Sequence, residues 1–124
     1  MHTIRLRRPW EKTRIGSEVS IRVEVPEAEA TSEPAGNKYQ YLRRFNLPTG
    51  LNDLSVVRLR IEAWTGDLDA FELNDVALQI GCPPMDVDVT KHLMRHNKIE
   101  LRLISTHQAP AALSGEVTLS IDDG

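Results

Sequence analysis

Two carboxylate pairs are the first residues whose spacing could do chemistry. Asp67 with Asp69, and Asp86 with Asp88, stand two apart and would share one face of a strand. Glycoside chemistry needs two carboxyl groups held about 5–10 Å apart across the scissile bond. The plainer reading of both pairs is solvent-facing alternation or turn capping. His92 and His96 stand four apart, which on a helix would turn two imidazoles to one face for a metal. Any helix here is short, and Asn97 ends it. Asp122, Asp123 and Glu24 are oxygen donors of the kind a structural calcium ion takes, without a specific motif, and read as solvated strand ends. Cys82 is the single cysteine; it lies beside two prolines with no base near it in sequence and is expected as a small buried hydrophobe. No Ser/His/Asp order stands out. The expectation is a chain without a catalytic constellation, a cofactor or a metal site.

The elements that must position these residues are strands. Ile4 and Leu6 alternate with arginines; Val19, Ile21, Val23 and Val25 alternate with polar residues; so do Val57, Leu59 and Ile61. The pattern returns at Phe71–Leu73, Val76–Leu78, Ile99–Leu103 and Val117–Ile121. A period of two sends one face of each run into a core and the other into water, as antiparallel sheets require. Pro26, Pro48-Thr49-Gly50, Gly81 and Pro83-Pro84 separate the runs, and Asn74-Asp75 suits a two-residue hairpin because both residues tolerate positive φ. Thr90 is placed to cap a single helical turn. Two connections are long: Pro26–Asn37, the least structured stretch and of the kind that is often functional or mobile, and Ser105–Ser114. The reading is an all-β chain of about eight strands, a two-sheet antiparallel jelly-roll sandwich forming one domain over residues 1–124.

Composition bounds the function. The 124 residues are 40% hydrophobic and 27% charged, ordinary for a globular chain large enough for a core without disulfides. No apolar run approaches the ~20 residues of a membrane span, and Met1–Arg5 leads into no signal-peptide core, so the expectation is no membrane partner and, by default, a cytoplasmic location. The net charge of −3 conceals an asymmetry: residues 1–62 carry 11 Lys/Arg against 8 Asp/Glu, and residues 63–124 carry 4 against 10. Arg5, Arg7, Arg8 and Arg14 form a basic stretch, read as a solvated face paired to nearby glutamates. A pI near 5.8 argues against a nucleic-acid partner.

Four blocks, in order, carry a resemblance. Tyr41-Leu42-Arg43-Arg44-Phe45-Asn46-Leu47-Pro48 resembles the "Y-R-R-x-F-x-L-P" strand of the N-terminal sugar-binding domain of glycoside hydrolase family 2, the β-galactosidase and β-glucuronidase group. Leu59–Trp64 with Ala70–Asp75 is similar to that domain's hairpin, Asp86–Leu93 with Asn97–Leu101 to its "F-D-V-T-x-L-L … G-x-N-x-L" segment, and Gly115–Leu119 to its closing strand. The blocks span roughly residues 39–121; Ile4–Trp10 matches loosely, Asp75 replaces the usual hairpin glycine, and His96 replaces a turn residue. The resemblance implies a galactose-binding-like jelly roll. It also implies that the catalytic acid/base and nucleophile lie on a downstream barrel this sequence lacks, so the chain is expected to be non-catalytic, whether a small protein or a domain cut from a glycoside hydrolase.

Sugar-binding surfaces present aromatic faces to C–H groups and polar side chains to hydroxyls. Of six aromatics, Phe45 and Phe71 fall on core faces, leaving Trp10, Trp64, Tyr39 and Tyr41. Tyr41 matches the family's tyrosine, Trp64 heads the loop Thr65-Gly66-Asp67, and Asn37 and Tyr39 follow the long loop. The candidate ligand site is therefore Asn37, Tyr39, Tyr41, Trp64 and Asp67, against the plainer reading that Trp64 and Tyr41 fill the core. Two functions follow: a non-catalytic carbohydrate-binding or accessory module, or an interaction and assembly domain that binds itself or another protein and no small molecule.

Overall fold

Alternation of apolar and polar residues builds two facing sheets, and the rows of buried side chains show how. The computed structural model describes residues 1–28, 33–107 and 109–123. Ten strands are present among them: β1 (His2–Arg5), β2 (Trp10–Arg14), β3 (Ser20–Val23), β4 (Lys38–Asn46), β5 (Val56–Ile61), β6 (Asp67–Leu73), β7 (Val76–Ala77), β8 (Met85–Asp88), β9 (His96–Ile104) and β10 (Val117–Asp122). They form a four-stranded sheet in the order β1-β10-β5-β8 and a six-stranded sheet in the order β3-β2-β4-β9-β6-β7, with every pairing antiparallel. Across the smaller sheet Val117, Leu119 and Ile121 stand opposite Ile61, Leu59 and Val57, all buried. Across the larger, Tyr41, Leu101 and Phe71 form one buried row and Ile99 with Leu73 another. These two inner faces make the core. The all-β antiparallel sandwich read from the alternation is the architecture found.

The described residues form ten strands, against the about eight read from the sequence. β2 was hidden because its inward positions run Trp10, Lys12, Arg14, an apolar residue followed by two cations. β8 is short and its outward positions are aspartates. Asp86 pairs with Arg58 at 2.6 Å on the wet face, and Asp88 accepts from the Thr90 hydroxyl at 2.6 Å. The Asn74-Asp75 hairpin forms as expected, with φ of 53° and 67° at the two residues. The arginines of the N-terminal stretch are exposed; Arg5 and Arg7 lie within 4 Å of Glu116 and Arg8 pairs with Glu24 at 2.9 Å.

Four expectations are corrected. Ile4, Ile21 and Val76, and Val19 just before β3, are 40%, 56%, 44% and 68% exposed rather than core-facing, because β1, β3 and β7 are edge strands; Val25 beyond β3 is buried. Cys82 is exposed, carried on the loop after β7. Thr90 opens a 3₁₀ turn (Thr90–His92) whose cap residue is Val89, and its hydroxyl bonds Asp88 rather than the turn's own amides. That turn ends before His96, which already lies in β9 and faces Asn46 Oδ1 at 3.2 Å, so the two histidines do not share a helical face. No helix among the described residues is long and apolar enough to cross a membrane.

Candidate functional site at the loop end of the sandwich

β4 enters the larger sheet at Lys38, and three connections meet around that point. Ser105 N donates to Asn37 O at 2.8 Å and Asn37 N to Ser105 Oγ at 3.0 Å, while Lys38 and Asp67 stand on either side of Ile104 in the register of β9. Thr65 pairs with Ala112 and its hydroxyl donates to Pro110 O at 2.6 Å. The segments before β4, before β6 and before β10 thus close on one another at one end of the sandwich. This brings Asn37, Tyr39, Trp64 and Asp67 to the same end. Gly66 makes the closure possible: its φ is +84°, and a Cβ there would lie 2.5 Å from Ile104 O.

Beneath this end lies a buried polar network that no periodic signal in the sequence announces. Lys12 points inward from β2, opposite Tyr41 in the register. Its Nζ meets Glu27 Oε2 at 3.0 Å and lies 4.7 and 5.2 Å from the ring centres of Tyr39 and Tyr41. Both partners are nearly enclosed, the two side chains being 13% and 12% exposed. The other oxygen of Glu27 accepts from the Tyr41 hydroxyl (2.5 Å) and from Leu113 N (2.8 Å), and Glu27 N donates to Leu113 O. One glutamate therefore ties the loop after β3 to β2, β4 and the loop before β10.

Glu33 repeats the device one step outward. It accepts from the Tyr39 hydroxyl at 2.5 Å, Asn37 Nδ2 at 3.2 Å and Ala111 N at 3.0 Å. Asn37 Oδ1 in turn takes a bond from Arg14 at 3.0 Å. Burial alone would raise the Glu33 carboxyl, but the hydrogen bonds from Tyr39, Asn37 and Ala111 outweigh it and hold the group below its ordinary value. Tyr39 is raised, chiefly by that same bond to Glu33. Tyr41 is raised well beyond its ordinary range, first by burial and then by the Glu27 carboxylate.

A pH dependence follows for Glu33. A carboxyl lowered in the folded state binds protons more weakly there than in the unfolded chain. Its stabilisation is complete above the ordinary value of 4.5 and is lost as pH falls through the lower folded value. The apparent Tm of the chain should fall on acidification across that window, and Glu33→Gln should flatten this part of the profile; equal slopes for both proteins in thermal melts would contradict it.

Among the five residues of the predicted ligand site, surface is unequally shared. Asp67 is exposed, while Asn37, Tyr39 and Trp64 are half-buried, Trp64 and Tyr39 against the core. Tyr41 is fully buried, and its polar atom is engaged with Glu27. Lys12, Glu27 and Glu33 were not singled out from sequence; the only hint is the inward slot that Lys12 takes after Trp10. Residues 29–32 of the long loop, and Gln108 of the other, lie outside the described residues. Pro26–Asn37, read as the least structured stretch, is tied down on both sides of that segment by Glu27 and Glu33.

The architecture recurs in solved structures. A beta-D-mannosidase from Dictyoglomus thermophilum matches 97% of this chain with a TM-score of 0.76 and 14% identity. An FMN-binding beta-glucuronidase from Facaelibacterium prausnitzii L2-6 matches 97% of it with a TM-score of 0.75 and 16% identity. The chain has their sandwich fold. It spans 22% of the length of each of those two proteins, so it corresponds to a domain-sized part of them. No protein-family model and no curated protein matches the sequence. The fold implied by the resemblance of the Tyr41–Pro48 and Asn97–Leu101 blocks is thus the fold found.

Proposed function

We propose that the chain is a non-catalytic carbohydrate-binding or accessory module whose ligand-facing surface is the loop end of the sandwich. The observation that carries this reading is the convergence of Asn37, Tyr39, Trp64 and Asp67 at one end, on a base stiffened by Lys12, Glu27 and Glu33. Fixed polar groups beside a partly open indole are the ingredients of sugar recognition, because a site pre-set by its supports loses little entropy on binding. Asp67 and the Asn37–Arg14 pair supply acceptors and donors for hydroxyls; Trp64 supplies the apolar face. Tyr41 acts from below, by holding Glu27 and with it the loop. The fold match to two proteins with glycosidase names supports the choice of ligand class.

Asp67→Ala and Trp64→Ala should each weaken binding of a simple glycoside at least tenfold in calorimetry, with Asp67→Ala leaving the melting temperature unchanged. Unaltered affinity in both variants would move the site elsewhere. The second reading, assembly with another copy of the chain, is favoured by β3, an edge strand with exposed Ile21, and by exposed Val19 just before it. It predicts a concentration-dependent dimer in sedimentation and no response to sugars.

A further inference from the structure

At the far end of β4 from these loops, the strand outruns its neighbour. β2 pairs with β4 only over residues 39–42, whereas β9 follows it to Asn46. The free edge over residues 43–46 faces β1 of the other sheet across a cleft of about 570 Å³. Leu6 and Phe45 form apolar wall. The charged lining consists of Arg5, Arg43, Arg44 and Lys98, and among the described residues no Asp or Glu lines it. Arg5 leans toward Glu116 at 3.7 Å, and Lys98 is engaged by Asp75 and Glu100 at 3.2 and 3.0 Å. Arg43 and Arg44 pair with no carboxylate among the described residues.

Arg43 is the anomaly. It shares the inward parity of Tyr41 and Phe45, so it occupies a core-facing slot in β4. Its Nη1 reaches the backbone oxygen of Arg44, but its Nε is buried and has no hydrogen-bond partner. A half-buried guanidinium with an unsatisfied Nε and no counter-charge is costly. Desolvation also lowers its pKa, the direction expected of a cation short of counter-charge. The planar fork of an arginine is matched by two oxygens of one carboxylate or phosphate.

We propose that this cleft is an oxyanion-binding site, with Arg43 at its centre and Arg44 and His96 at its rim, that takes the carboxylate or phosphate group of a small polar ligand. An oxyanion seated there supplies the counter-charge that Arg43 lacks and finds no carboxylate in the lining to repel it. The site is independent of the loop end, since β4 carries one at each of its ends.

The test is a titration of the full chain with inorganic phosphate, with D-galacturonate and with its neutral counterpart D-galactose, followed through the Arg Nε–Hε resonances and backbone amides. Phosphate or galacturonate should shift Arg43 Nε–Hε saturably, more weakly at high salt, while galactose should not. Saturation by phosphate alone assigns a free-oxyanion site, and tighter binding of galacturonate assigns the carboxylate of a larger ligand. Arg43→Met should lose at least tenfold in affinity with an equal or higher melting temperature. Should that variant fail to fold, Arg44→Gln, on the exposed rim, should weaken the same shifts several-fold. An Arg43 resonance that stays still with both anions, or moves equally with galactose, overturns the proposal, as does undiminished affinity in the arginine variants.

Discussion

Glu27→Ala should lower the free energy of unfolding by about 3 kcal/mol, the cost of removing one partner of a nearly buried ion pair. The substitution strips the Tyr41 hydroxyl, Leu113 N and Lys12 Nζ of their common acceptor at once. The two tyrosine rings beside Lys12 retain part of its stabilisation, which places the figure at the lower end for such pairs. Removing both charges, in Lys12→Met with Glu27→Gln, should recover part of the loss, because a neutral pair of similar shape leaves no stranded cation. Urea unfolding monitored by tryptophan fluorescence measures both. A loss under about 1 kcal/mol for Glu27→Ala would mean that the network is solvated and does not anchor the loop.

Gly66→Ala is expected to be comparably severe for an unrelated reason. The left-handed φ of +84° costs a non-glycine residue about 1–2 kcal/mol. The added Cβ would also sit 2.5 Å from Ile104 O and 3.3 Å from Ala111 Cα, both backbone atoms that move only if the loops separate. Overpacking of this kind adds about 1–3 kcal/mol. Gly16→Ala is the matched control: its φ is +96°, but nothing lies within 4 Å of the new atom. Gly16→Ala should therefore show the conformational cost alone. A domain of this size shifts by roughly 3–4 °C per kcal/mol, so thermal melts should separate the two variants by several degrees. Equal melting temperatures would show that the Trp64–Asp67 loop is not closed against β9.

These two positions illustrate what a sequence of this kind reveals. β5, β9 and β10 were legible because each is central in its sheet, so every second residue meets the opposite face and must be apolar. β2 was not, because its alternate positions run Trp10, Lys12 and Arg14, and β3 was legible as a strand but not in which of its residues are buried, since it lies at the edge of its sheet. There cations or exposed apolar residues can take slots that alternation assigns to a core. Cys82 misled in the same way, since its apolar character predicted burial on a loop that packs against little. The hairpin at Asn74-Asp75 was legible because its conformation is set by two adjacent residues. Lys12, Glu27 and Glu33 are joined only by the folding of distant segments, so none carries a local signature. Of the candidate site, the placement of Asn37, Tyr39, Trp64 and Asp67 near one another was anticipated from loop positions and the burial of Tyr41 from its place in the alternation, whereas the acids beneath it depended on how β2 packs beside β4.

Whether the loop end of the sandwich faces sugars is decided directly by one measurement. The isotope-labelled chain would be titrated with a panel of neutral and acidic monosaccharides and oligosaccharides while its amide and indole resonances are recorded. Saturable shifts confined to Asn37, Tyr39, Asp67 and the Trp64 indole are the predicted result. A spectrum unchanged at these positions up to millimolar sugar would contradict the account and leave assembly through β3 as the role to pursue.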